Sequence, residues 1–126
     1  MSLTPDERDV LERLEAWAAK MRELMDFIGD RPRLPRTDEE RAREMYRAIK
    51  DPLCAEYRKG DTGRGGAAQT EAERRWYQRT IHQACVHLYA PINTTPGPKW
   101  FSSLYEARAD LTHTIFEMKA RDKETP

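Results

Sequence analysis

The chain has 126 residues, of which 38% are hydrophobic and 35% charged, and its formal net charge is +0. That length fits one ordinary domain and is too short for two, and so lean an apolar fraction suits helices that each bury one stripe better than a thick sheet-containing core. Zero net charge excludes a global field steering the chain to nucleic acid or anionic lipid, and no stretch approaches the roughly 20 apolar residues of a membrane span.

Thr4-Pro5-Asp6-Glu7 has the form of a capping box with proline at the first helical position. Val10, Leu14, Trp17, Met21, Leu24 and Ile28 follow in steps of four and three, widened by Leu11, Ala18 and Met25. This predicts an amphipathic helix over about 5–28, closed by Gly29. Arg31-Pro32-Arg33-Leu34-Pro35-Arg36 reads as a stiff basic connector (31–36), because each proline holds its predecessor extended. Thr37 and Glu40 form a second box before a helix over about 38–59 with Ala42, Met45, Tyr46, Ile49, Leu53 and Tyr57 on one face. Pro52 removes an amide from that helix and is expected to kink or break it.

Gly60, Gly63, Gly65 and Gly66 mark 60–69 as a mobile loop. They lack a Gly-Lys-Thr/Ser ending, so they are not read as a phosphate cradle. Thr70 and Glu73 make a third box, opening a helix over about 71–89 with Tyr77, Ile81, Ala84, Cys85 and Leu88 inward. A proline-rich connector (91–98) leads to a last helix over about 99–120, striped by Phe101, Leu104, Leu111, Ile115 and Met118. The polar tail from Arg121 is expected to fray.

The three boxes share Thr-x-x-Glu-Arg at even spacing, but each unit holds one helix where a solenoid repeat holds two. The expected fold is therefore all-α, a single-domain up-and-down bundle of about four helices. Cys54 and Cys85 lie far apart in no C-x-x-C or metal spacing, which predicts small buried thiols, reduced in a cytoplasmic protein. The acidic start carries no signal-peptide pattern.

Arg108 takes the slot between Leu104 and Leu111 on the last stripe. A guanidinium there needs a carboxylate or ligand partner, unless it snorkels to water from the edge of the bundle. Arg108 and His113 form an Arg-x4-His string that resembles the short motif of the HEPN ribonuclease superfamily, small helical bundles that usually act as dimers. The resemblance implies RNA cleavage by that arginine and histidine, with the histidine near the scissile phosphate. This chain departs from the family pattern at Ala109, usually polar, and at Ile115, where a tyrosine would stand. Arg75 and His82, seven apart and near one helical face, are a second such pair. His82, Cys85 and His87 do not share a face, so no metal site is expected, nor any other cofactor.

Trp100 and Phe101 follow the second connector, and Tyr105 and Phe116 widen the apolar surface of the last helix. Aromatics so placed are common interface anchors. With Arg108 they make the expected binding surface of a cytoplasmic, non-enzymatic interaction module that binds a protein partner or itself. The alternatives are a HEPN-like RNA-binding or RNA-cleaving protein using Arg75, His82, Arg108 and His113, and a nucleic-acid backbone binder. The last would use the Arg31–Arg36 connector with Arg41, Arg43 and Arg47. The 16 arginines against six lysines favour planar pairing with phosphate or carboxylate, although GC-rich coding yields the same excess.

Overall fold

A computed structural model describes residues 2–62, 69–89, 91 and 94–123. Among the described residues there are four α-helices, α1 (Pro5–Ile28), α2 (Arg36–Thr62), α3 (Gln78–Tyr89) and α4 (Pro98–Lys123), and a π-helical turn, Glu73–Tyr77, leads into α3. α1 packs on α2, α2 on α3, α3 on α4 and α4 back on α1. Helices consecutive in the chain are thus neighbours in space and the ring closes, as in an up-and-down bundle. No described helix is long and apolar enough to cross a membrane.

The α1 stripe dictates its own burial: Val10, Leu14, Met21, Leu24 and Ile28 are fully enclosed. Thr4 caps it, its Oγ1 accepting from the Glu7 N–H at 3.1 Å while the Thr4 N–H donates to the Glu7 carboxylate at 3.1 Å. Gly29, at φ 60, ends the helix and donates to the Met25 carbonyl at 2.7 Å. The second expected box does not form. The Pro35 carbonyl accepts from the Glu39 N–H at 2.9 Å, which puts Thr37 inside the first turn, and Arg31 draws Asp38 away at 3.0 Å. α2 runs through Pro52 to Thr62 as one helix, so residues 60–62 of the expected loop are helical. The rest of that loop up to Ala68, and the chain end beyond Lys123, lie outside the described residues.

The third box forms, with Thr70 and Glu73 exchanging bonds of 3.1 and 3.0 Å. The π turn that follows is absent from the 3.6-residue pattern. Gln78 N–H reaches back to the Glu73 carbonyl, and the wider turn gives two consecutive aromatics partners on α1. Trp76 Nε1 donates to Glu7 at 2.8 Å, and Tyr77 Oη accepts from Trp17 Nε1 at 2.9 Å. Arg13 lies over the Tyr77 ring at 4.2 Å and forks to Asp9 at 3.2 Å, Glu73 at 3.3 Å and Glu56 at 3.4 Å. One guanidinium thereby ties α1, α2 and the π turn together.

Cys54 of α2 and Cys85 of α3 are joined by a disulfide, with Cα atoms 5.7 Å apart. This overturns the expectation of reduced thiols. Both cysteines are buried as expected, but spacing along the chain could not show that they face one another across the α2–α3 seam. Closing a loop of 31 residues restricts the unfolded chain, so reduction is expected to lower stability by about 3–4 kcal/mol. Guanidinium unfolding with and without dithiothreitol measures it, and thiol titration of the unfolded, unreduced chain should find no free thiol.

The same polar joint predicts an acid transition. The Thr4 backbone bond, then Trp76 and Arg121, hold the Glu7 carboxyl below its ordinary 4.5 against the pull of burial. Burial pushes Glu73 up, but the Thr70 amide and Arg13 outweigh it and leave its carboxyl below 4.5 as well. Carboxyls lowered by folding stabilise fully above their unfolded value and lose that contribution as pH falls through the folded one. Thermal melts should therefore show the Glu73→Gln variant less stable than the parent at neutral pH, with the gap closing below about pH 4.5.

Candidate functional site

The structure separates the aromatics that the sequence groups together. Trp100, in the first turn of α4, is 3% exposed and belongs to the core. Its ring lies 4.5 Å from that of Tyr46, and its Nε1 donates to Thr94 Oγ1 at 2.9 Å. Tyr46 in turn donates to the Leu88 carbonyl at 2.6 Å, so α2, α3, the second connector and α4 meet at this pair. Phe101 is half-buried against the core. Tyr105 and Phe116, by contrast, are 62% and 73% exposed.

Arg108 is not in the seam. Ala107 is fully buried and fills the place between Leu104 and Leu111, a position the sequence pattern passes over. Arg108 is thereby rotated onto the flank facing α1, where its Nε donates to the Ala18 carbonyl at 3.2 Å. A shallow groove of about 290 Å³ runs there between Ala18 and Ala19 of α1 and Arg108, Ile115 and Phe116 of α4. The Lys119–Glu15 pair, 3.2 Å long, lies at the same groove.

Neither arginine–histidine pair converges. His113 is directed at Glu117, 2.8 Å away on its own helix, about 140° around the axis from Arg108. Arg75 sits over the Trp76 ring at 4.9 Å, whereas His82 stacks on Tyr57 with centroids 4.6 Å apart. Cys85 is committed to its disulfide, and His87 lies 3.1 Å from both Glu106 and Asp110, linking α3 to α4.

The arginine patch is rearranged too. Arg31 folds back on the Phe27 and Ile28 carbonyls and on Asp38, a structural post rather than a free cation. Arg41 projects from α2 about 160° away from Arg43. Arg43 and Arg47 do share a face, and Lys50, missed in the sequence, joins them one turn on. With Tyr46, Asp51 and Trp100 these three cations line a cleft of about 300 Å³. Their i, i+4, i+7 spacing was the available signal.

The chain matches no family model, no curated protein and no solved structure. Its surfaces are defined by the packing of the four helices. That geometry makes a sharp contrast testable by chemical denaturation. Trp100→Ala should cost about 3–5 kcal/mol as a core truncation, while Tyr105→Ala and Phe116→Ala should each stay within about 0.5 kcal/mol in the monomer.

Proposed function

We propose that the chain is a helical interaction module whose contact face is the outer flank of α4 and whose partner is a second copy of itself. The observation that carries this is the disposition of Tyr105, Ala109, Thr112 and Phe116. They fall in steps of four, three and four, on one stripe of α4 about 16 Å long. The two ends are exposed aromatics and the middle is small.

That spacing reads the same in both directions, which is what an isologous twofold contact requires. With two α4 helices antiparallel, Tyr105 meets Phe116 of the second copy at both ends, and Ala109 meets Thr112 in the middle, where the backbones approach. Large isolated apolar side chains at such exposure are stabilised by mutual burial and by edge-to-face contact between rings. The ribonuclease reading has no comparable support, since it needs an arginine and a histidine directed at one phosphate.

The Cys54–Cys85 bond withdraws the argument for a cytoplasmic location that rested on reduced thiols, because disulfides persist in oxidising compartments. Light scattering on a sizing column tests the pairing. The expected mass is twice the 14.8 kDa of the chain, and Tyr105→Glu with Phe116→Glu should halve it while leaving the helical circular dichroism unchanged. A parent protein that stays monomeric at high micromolar concentration would falsify the proposal.

A further inference from the structure

A second surface, on α2, gathers four cations beside an accessible ring, with Glu39 and Asp51 at its edge. Arg36, Arg43, Arg47 and Lys50 fall within about 60° of one another around the helix and span about 21 Å along it. Three of them line the cleft above Tyr46 and Trp100. The counter-charges are sparse: Arg43 reaches Glu39 only at 3.9 Å, Lys50 pairs with exposed Asp51 at 3.2 Å, and Arg47 has no carboxylate partner among the described residues. In a chain whose net charge is +0, such a stripe is a local concentration rather than a by-product of composition.

The rings add a second kind of contact. Arg43 stands 5.7 Å from the Trp100 centroid and Lys50 stands 4.9 Å from that of Tyr89. Tyr89 is 46% exposed and Val86, one turn before it on α3, is 57% exposed, so an open apolar shelf borders the cations. Guanidinium forks suit phosphate oxygens held at fixed geometry. A groove that combines such cations with an exposed ring suits a strand whose phosphates and unpaired bases are both available.

We infer that the α2 stripe with the Tyr89 shelf of α3 is a binding site for single-stranded nucleic acid. Arg43, Arg47 and Lys50 hold successive phosphates, and Tyr89 stacks a base. An acidic peptide would use the cations and leave the ring idle, and a duplex would keep its bases from the shelf. The site lies apart from the α4 flank, so it stands or falls independently of self-pairing.

Fluorescence anisotropy of a labelled mixed-sequence single-stranded RNA, titrated with the full chain at several salt concentrations, tests it. Three phosphate contacts predict a slope of log K against log salt of about −2. Arg43→Ala with Arg47→Ala, both exposed and outside the core, should reduce that slope by about 1.4. Tyr89→Ala should weaken binding about tenfold with the slope unchanged, the signature of stacking rather than charge. Absence of binding, or binding indifferent to the double substitution, overturns the inference. So does equal affinity for a duplex, displacement by polyglutamate as effective as by unlabelled RNA, or displacement by micromolar inorganic phosphate. The first and second of these displacement and affinity results would instead mark a backbone reader and an acidic-protein surface; the third would mark a small-phosphate pocket.

Discussion

The Arg13 guanidinium is the point on which the arrangement of the bundle turns. It lies on the Tyr77 ring and reaches carboxylates from three segments, Asp9 of α1, Glu56 of α2 and Glu73 of the π turn. Burial works against its charge, but Tyr77 and the surrounding acids more than offset that and hold its proton more tightly than usual. Each ion pair is only partly buried and contributes little alone. Together they select one relative position of the three segments, because a shift of any one strands a partly buried charge.

The effects reach the caps of the helices. Glu73 serves both the Thr70 box and Arg13, while Glu7 serves both the Thr4 box and Trp76. Two local start signals are in this way tertiary contacts as well, and the π turn is what lets Trp76 and Tyr77 engage α1 side by side. At another joint the Trp100–Tyr46 contact and the Tyr46 bond to the Leu88 carbonyl tie the start of α4 to α2 and α3. The disulfide secures the α2–α3 seam between them.

A bundle held in this way spends most of its large apolar side chains on its interior. Those left over are informative for that reason. Tyr105 and Phe116 remain on the flank of α4, and Val86 and Tyr89 remain on α3 beside the basic stripe of α2. The two surfaces draw on different helices of the ring. Pairing of one α4 with another leaves the α2 stripe open, and a dimer would present two such stripes to one extended ligand.

What could be read from the residues was whatever depends on near neighbours in the chain. The stripe from Val10 to Ile28, the boxes at Thr4 and Thr70 and the glycine at position 29 act over three or four residues, so they are visible in one dimension and announce an all-α bundle. The Thr37 box was equally legible and does not form, because the Pro35 carbonyl and Arg31 compete for the same turn. Contacts over long chain separations decided everything else. Burial of Trp100, the turn of Arg108 out of the seam behind Ala107, the Cys54–Cys85 bond and the meeting of Arg13 with Glu73 all depend on which helix lies alongside. The all-α architecture was thus set by local periodicity, whereas the surfaces available for binding were set by packing, which alone determines which equally apolar or charged side chains have no room inside.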